Sequence, residues 1–227
     1  MVTVALCLLA PWLAACTSTP YVTPETPVAW AFDTLEALPE VGDLDGVTLK
    51  RALAARRSVR DFEPTPLTSE QQAALLWAAQ GQTADWGGRT APSGGALYPL
   101  EAYLVTSDAI LHYVPATHAA QVRGSEHALT DVAGAVGQPA ALDAPALVVI
   151  TGTPDRLRAK YLLRAGRYTL MEAGHAAQNV LLVSTALGLG SVPIGAFSPT
   201  AVASALALPE GEEPLYVIPV GVPGQSP

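Results

Sequence analysis

The sequence has 227 residues, half of them apolar and 14% charged, which favours a compact globular protein over a disordered one. The net charge of −8 argues against general nucleic-acid binding, which needs a basic surface, but it leaves room for a local basic pocket. Both cysteines, Cys7 and Cys16, lie near the N-terminus, so the rest of the chain has no thiol chemistry, no disulfide and no cysteine-ligated metal site.

The chain opens with an uncharged apolar run over residues 2–15 that leads into Cys16. The last four residues, Leu13-Ala14-Ala15-Cys16, resemble the lipobox of bacterial lipoproteins, in which the signal is cut before a cysteine that becomes lipidated. This predicts a signal peptide over residues 1–15, lipidation at Cys16 and a lipid anchor in the bacterial cell envelope. The n-region lacks the usual lysine or arginine, and an ordinary buried apolar segment is the alternative.

A Thr/Ser/Pro-rich stretch follows the cysteine over residues 17–27 and favours an exposed tether. No acidic residue stands directly after Cys16, which favours the periplasmic face of the outer membrane. We therefore expect a tether and N-terminal arm over residues 16–45, and a single globular domain over residues 46–227.

The stretch Arg56-Arg57-Ser58-Val59-Arg60 follows a helix predicted over residues 47–57. It places three guanidinium groups and a hydroxyl close together in an acidic protein. Guanidinium groups form bidentate, charge-assisted hydrogen bonds to phosphate, so the cluster predicts anion binding. A solvated basic face at a helix C-terminus, which the helix dipole also favours, is the alternative.

The glycine- and proline-rich loop over residues 89–99 follows a helix predicted over residues 68–80 and ended by Gly81. Its glycines let a backbone approach a flat ligand closely, although turn chemistry explains them equally well. The next elements are predicted as strands over residues 100–106 and 109–114, a helix over 126–136 and a buried central strand over 146–150.

A long helix is predicted over residues 168–189, which contain no proline and are rich in alanine and leucine. Gly188 and Gly190 are its stop signal. The helix is apolar nearly all round, which predicts burial. Its length would also permit a membrane span, but polar side chains on its first turns argue against one, namely Glu172, His175, Gln178 and Asn179.

The segment from Lys160 to Tyr168 leads into this helix and carries three cations and two tyrosines. Cations are unfavourable at a helix start, so we expect a functional reason for them. Lys160 is a candidate base, with Tyr161 beside it. A surface lysine and a packing tyrosine are the alternative. The chain then closes with an irregular loop over residues 190–197, a short helix over 199–206 and a strand over 215–223.

With these elements in place, residues 47–223 resemble the nitroreductase family of flavoproteins, and within it the branch of SagB-type azoline dehydrogenases. Four motifs in the family's order carry the resemblance: Arg56-Arg57-Ser58-Val59-Arg60; Pro92-Ser93-Gly94-Gly95-Ala96-Leu97-Tyr98-Pro99-Leu100-Glu101; Lys160-Tyr161 with Glu172-Ala173-Gly174-His175-Ala176-Ala177-Gln178-Asn179; and Leu187-Gly188-Leu189-Gly190 with Val220-Gly221-Val222-Pro223.

The resemblance implies an α+β fold: a three-layer sandwich with a mixed, mostly antiparallel sheet flanked by helices and a long buried central helix. It implies FMN bound at a homodimer interface, so that residues 46–227 form an FMN-binding domain. Residues at three places are implied to hold the flavin. In the first, Arg56 and Ser58 bind the phosphate, Arg57 binds the phosphate or the ribityl chain, and Arg60 lies at the pyrimidine side. In the second, Pro92, Ser93 and Gly94 line the ring from the second subunit, and in the third, Pro193, Ile194 and Gly195 cover its reactive edge.

Lys160 and Tyr161 match the Lys-Tyr pair that azoline dehydrogenases use near the substrate, where it is thought to manage the proton that leaves as the flavin takes a hydride. The resemblance thus implies an FMN-dependent oxidoreductase that transfers hydride between reduced nicotinamide, NAD(P)H, or a small-molecule substrate and the flavin. No metal site is predicted, the net charge predicts no nucleic-acid partner, and the lipobox predicts membrane contact through the lipid anchor only.

Two alternatives remain from the sequence: an envelope lipoprotein that binds flavin or another ligand without turnover, and a structural envelope lipoprotein without a cofactor. One family feature is missing. A basic residue that grips the phosphate commonly follows the last strand, whereas this chain ends Gly221-Val222-Pro223-Gly224-Gln225-Ser226-Pro227.

Overall fold

The computed structural model describes residues 32–42, 44 and 46–224. The predicted signal peptide over residues 1–15, Cys16 and the first part of the tether lie outside the described residues, so the lipoprotein assignment stays a prediction. Among the helices of the described part, none combines the length and the apolar character that a membrane crossing needs.

The described chain contains seven strands and seven α-helices. The strands are β1 (Thr34–Ala37), β2 (Leu100–Val105), β3 (Ala109–Val114), β4 (Ala119–Gly124), β5 (Ala146–Gly152), β6 (Gly190–Ser191) and β7 (Glu213–Gly221). The helices are α1 (Leu49–Ala55), α2 (Ser69–Gln80), α3 (Ala128–Val136), α4 (Pro139–Asp143), α5 (Asp155–Tyr161), α6 (Ala165–Ala186) and α7 (Pro199–Leu206).

The strands form one seven-stranded sheet in the order β1-β4-β3-β2-β5-β7-β6. Neighbouring strands pair antiparallel, and β5 lies inside the sheet between β2 and β7, with partners along its full length. On its outer side β7 pairs with the short strand β6 over Gly190 and Ser191 and then bridges to Ile194 through Val217, so the proline-containing strand lies near the sheet edge.

Both faces of the sheet are covered, which confirms the three-layer α+β sandwich. Along β2, Leu104 packs into a core with α2 and α6, whereas Tyr103 packs into a second core with α3, α4 and α7. This alternation follows from the two-residue period of a strand. The interior strand β5 is buried on both faces, as its continuous apolar run predicts.

Capping residues set the helix ends that the sequence predicts. The Thr68 hydroxyl accepts the Gln71 N–H, and the Gln71 side chain accepts the Thr68 N–H, which closes a capping box at the start of α2. Gly81 ends this helix. Ser198 caps α7 in the same way, by accepting the Ala201 N–H.

The long helix α6 is confirmed, and it ends at Leu187 before Gly188, whose φ of 73° lies in the left-handed region. Its inner face is buried in the core. The outer face is apolar but open within one chain, because Leu170 is 61% exposed and Met171 is 51% exposed.

The start of α6 differs from the prediction. Lys160 belongs to the last turn of the separate helix α5, and Leu162, with a φ of 47°, breaks the backbone before α6 begins at Ala165. The lysine therefore lies at a helix C-terminus, where the helix dipole favours a cation, and not at the unfavourable N-terminus.

Candidate functional site

The cationic stretch lies where α1 ends. Arg56 is the C-cap residue, and Nη1 of Arg57 donates to the main-chain oxygens of Ala54 at 2.9 Å and of Arg56 at 2.8 Å. This nitrogen satisfies carbonyl groups that the helix end leaves unpaired. Ser58 and Arg60, just beyond, are exposed. The cluster therefore caps the helix through one side chain and presents other polar groups to solvent.

The chain after the cluster runs beside β6. The Val59 N–H donates to the Ser191 carbonyl oxygen at 3.1 Å. A Cβ on Gly190 would stand 2.6 Å from Cγ1 of Val59, so only glycine allows this close approach. The contact fixes Arg60 relative to the loop that follows β6.

Arg60 lines a cavity of 170 Å³, called the Arg60 cavity below. Its other lining residues are Gln138, Ala140, Val192, Pro193, Ile194, Gly195 and Ala196. Ile194 is fixed by two main-chain hydrogen bonds with Val217, of 2.8 and 3.0 Å. A Cβ on Gly195 would meet no atom of the described chain within 4 Å, so the backbone there is open. The structure thus brings together four predicted cofactor residues, Arg60, Pro193, Ile194 and Gly195.

The glycine loop, residues 89–99, is held at both ends. Nδ2 of Asn179 on α6 donates to the Thr90 carbonyl oxygen at 3.1 Å. The guanidinium of Arg89 lies 4.4 Å from the centre of the Tyr98 ring, which is cation–π geometry. These contacts give the loop a defined position against α6.

A buried carboxylate of α6 binds the middle of the glycine loop. Glu172 is 5% exposed, and its Oε1 accepts the Gly94 N–H at 2.8 Å. Burial raises the pKa of Glu172, although the Gly94 N–H and the Ser93 hydroxyl partly offset this by binding the ionised form. Glu172 is not among the site residues predicted from the sequence. A charged residue on the inner face of an alanine-rich helix was the available signal.

A second cavity, the Pro92 cavity, lies between the glycine loop and α6 and has a volume of 340 Å³. It is lined by Pro92, Ser93, Gly94, Tyr168, Met171, Glu172 and His175. It unites the three predicted loop residues with the open face of α6. Among the described residues, the Arg60 cavity and the Pro92 cavity have no lining residue in common.

Lys160 and Tyr161 lie against the same loop. A Cβ on Gly95 would stand 2.7 Å from Nζ of Lys160 and 3.1 Å from the Tyr161 hydroxyl. The corresponding point on Gly94 is 3.5 Å from both the Tyr161 hydroxyl and Oε1 of Glu172. The structure therefore places an ammonium, a phenol and a buried carboxyl group around two glycines.

The fold and the two cavities define an α+β protein with a cationic helix end, an open loop backbone and a cluster of proton-bearing groups, and comparison with known proteins assigns its family. The profile described as "Nitroreductase family" matches residues 53–222. A protein of Methanocaldococcus jannaschii named a nitroreductase is 36% identical over 196 residues, which cover 83% of this chain and 97% of that protein. The chain belongs to the nitroreductase family.

Solved structures show the same fold. A Ralstonia eutropha structure named a nitroreductase superposes with a TM-score of 0.77 at 26% identity, covering 88% of this chain and 94% of that one. A nitroreductase structure in complex with FMN, from Desulfovibrio desulfuricans, superposes with a TM-score of 0.59 at 21% identity, covering 78% and 87%. Members of the family are FMN-dependent oxidoreductases that act on small molecules.

The residues of this chain fit FMN, which needs cations for its phosphate and open backbone for its flat ring. Arg60 supplies a charged donor to the Arg60 cavity, and Arg56 and Ser58 add a charged and a neutral donor in the stretch of chain just before it. The unobstructed backbone at Gly195 supplies a surface that a ring can approach. Nη1 of Arg57 already donates to carbonyl oxygens at the end of α1. The other guanidinium nitrogens of Arg57 would therefore bind the phosphate or the ribityl chain.

Proposed function

We propose that the protein is an FMN-dependent oxidoreductase whose flavin lies in the Arg60 cavity. The observation that carries the proposal is the juxtaposition of the Arg60 guanidinium with Pro193, Ile194 and Gly195 around one opening. Arg56, Arg57 and Ser58 hold the phosphate at the end of α1. FMN supplies the hydride chemistry when bound, and the protein binds, orients and tunes it.

Arg60 has a defined electrostatic task in this proposal. A guanidinium at the pyrimidine side stabilises the negative charge that a reduced flavin carries there. The cavity is small and partly enclosed by the turn Pro193-Ile194-Gly195, which limits the access of water to the reactive edge. Charge and exclusion of water act together because a charge interaction is stronger where the surroundings are less polar.

The Pro92 cavity forms the other wall of the site, supplied by a second copy of the chain. Support comes from the open apolar face of α6, where Leu170 and Met171 are exposed within one chain. Met171 also lines the Pro92 cavity, so the apolar face and the predicted loop residues are continuous. A homodimer in which α6 packs against its counterpart would cover the leucine and bring Pro92, Ser93 and Gly94 to the partner's flavin.

Lys160 and Tyr161 manage the proton at the substrate side, as in the SagB-type branch. Nζ and the phenol hydroxyl are placed beside Gly95 to hold a proton or pass it on when hydride moves. Reduced nicotinamide is the electron donor in this proposal, and a small molecule is the acceptor. Lipidation at Cys16 places the enzyme on the cell envelope, with the Thr/Ser/Pro-rich tether over residues 17–27 separating it from the membrane.

The test is a spectrum of the purified full-length protein followed by a redox cycle. The proposal expects a yellow protein that releases FMN on denaturation, is bleached by NADH or NADPH without oxygen, and is reoxidised by a quinone or a nitroaromatic compound. Bound flavin that neither donor reduces would favour the ligand-binding alternative. A colourless protein that takes up no FMN would refute the proposal.

A further inference from the structure

We propose that Arg156 is a positioning residue that keeps Lys160 on the glycine loop. The inference deepens the proposed function, on which it rests. Arg156 lies on α5, four residues before Lys160 and therefore on the same side of the helix. It connects this helix both to the sheet and to the loop that Lys160 touches.

The guanidinium of Arg156 has two partners. Its Nη2 lies 2.5 Å from Oε1 of Glu101 on β2. Its Nη1 donates to the Tyr98 carbonyl oxygen at 3.1 Å, three residues beyond Gly95 in the glycine loop. One side chain thus fixes the loop and α5 to a common point on the sheet.

The anchor on the sheet is itself rigid. The Glu101 side chain is 14% exposed, and its Oε2 lies 3.1 Å from Nε2 of His112 on β3. Nδ1 of His112 lies 3.0 Å from Oε1 of Gln121 on β4. Three neighbouring strands therefore hold the carboxylate that holds Arg156.

Arginine suits this position because its planar guanidinium group can donate to two acceptors in fixed directions. A lysine ammonium has less directional control. The carboxylate takes Nη2 and the carbonyl oxygen takes Nη1. Loss of the Arg156 guanidinium would remove these bonds from both α5 and the glycine loop.

Two other side chains support α5: Leu157 is buried, and the Tyr161 ring lies edge-on to the Tyr168 ring of α6, with 4.9 Å between the ring centres. Leu162 breaks the backbone directly after Tyr161, so the long helix α6 does not continue the helix that carries Lys160. Leu162 is 71% exposed and Leu163 is fully exposed, so neither anchors this corner within one chain. The backbone of α6 therefore does not fix the position of Lys160 over Gly95, and the polar bonds that tie α5 to the sheet and to the glycine loop are those of Arg156.

The sequence provides an internal control for testing this, because Lys50 and Lys160 are its two lysines. Lys50 lies on α1 and is exposed. Brief labelling of the full chain with an amine-reactive reagent, followed by mass spectrometry, gives the ratio of label at Lys160 to label at Lys50. The variants are Arg156→Gln and Arg156→Lys. Arg158→Gln is the matched control, since the Arg158 side chain forms an exposed ion pair with Asp155 of the same helix.

Lys160 is exposed within one chain, so the ratio reports the surroundings of its ammonium and not its burial. Arg156→Gln is expected to change the labelling ratio and to lower kcat about tenfold or more, with a much smaller change in KM and in FMN content. Arg156→Lys should lie between Arg156→Gln and wild type, and it serves as the test variant if Arg156→Gln does not fold. Arg158→Gln should match wild type in every readout.

An unchanged ratio in a folded Arg156 variant overturns the proposal. An equal rise at Lys50 and Lys160 marks general loosening and overturns it too. The labelling ratio does not depend on flavin, so a wild-type protein without FMN would refute the proposed function separately.

Discussion

Glu172 and Gly94 are joined by a hydrogen bond of 2.8 Å, although 78 residues separate them in the chain. The bond gives a buried carboxylate a main-chain donor, and it fixes the glycine loop on the inner face of α6. A buried charge without such a partner would be costly, so the loop and the carboxylate stabilise each other. The sides of the Pro92 cavity are set by this contact.

Glu172→Ala should destabilise the protein by about 1–3 kcal/mol, because it leaves the Gly94 N–H without its acceptor. Glu172→Gln keeps an acceptor oxygen and should cost less. Urea unfolding measures both, with Gln178→Ala as the control, since Gln178 is exposed on the same helix. If Glu172→Ala is as stable as that control, the bond does not hold the loop.

Arg60→Ala should weaken FMN binding by about tenfold or more, because a charge-assisted hydrogen bond contributes roughly 1.5–3 kcal/mol. Arg51→Ala removes the same charge from an exposed position of α1 and should leave binding unchanged. Titration of each apoprotein with FMN gives the two dissociation constants. Similar losses in both variants would mean that overall charge, and not the Arg60 cavity, controls binding.

Gly95→Ala should lower both stability and turnover. Gly95 has a φ of 66°, and a Cβ there would stand 2.7 Å from Nζ of Lys160. The backbone strain alone costs about 1 kcal/mol or more, and the contact displaces the ammonium. Thermal unfolding and steady-state kinetics are the measurements.

Gly134→Ala is the matched glycine control. Gly134 lies inside α3, where a Cβ would meet no atom of the described chain within 4 Å. Alanine there should raise stability by roughly 0.5–1 kcal/mol, because it favours the helix. If Gly95→Ala behaves like Gly134→Ala, Lys160 does not depend on the glycine.

The Glu101 carboxylate should make stability fall in acid. Burial by itself would raise the pKa of Glu101, but the His112 hydrogen bond and the Arg156 charge outweigh it and lower the pKa from 4.5 to about 2. The unfolded chain therefore binds the proton more tightly. The contribution to stability is present above pH 4.5 and is lost as the pH falls toward 2.

Glu101→Gln should remove this contribution to the fall of the free energy of unfolding in acid. Relative to wild type, the loss of stability should be on the order of 3 kcal/mol at most near neutral pH and should shrink as the pH approaches 2. Urea unfolding across the acid range measures it. A stability difference that stays constant over that range would contradict the assignment.

Much of the fold was predictable because local signals agreed. The capping box at Thr68, the glycine after α2 and the apolar run of β5 each determine an element through its own residues. The strands that the sequence analysis missed lack such signals. β1 is four exposed residues, and β4, Ala119–Gly124, alternates weakly and depends on its neighbours for pairing.

The site was predictable where a motif is contiguous and less so where contacts are distant. The arginines at the end of α1 and the loop around Gly195 could be named from the chain. The bond between Glu172 and Gly94 and the bond between Arg156 and Glu101 could not be predicted, because each joins segments that only the folded sheet and helices bring together. The break at Leu162 was also missed, since nothing in an Ala/Leu-rich stretch indicates a left-handed residue.

The most direct test of the central claim is the visible absorption spectrum of the full-length protein as isolated, together with titration of any cofactor-free fraction with FMN. The account predicts the bands of a bound oxidised flavin, FMN in the supernatant after denaturation, and restoration of the bands when FMN is added back. A protein that is colourless as purified and shows no spectral change on addition of FMN would contradict it.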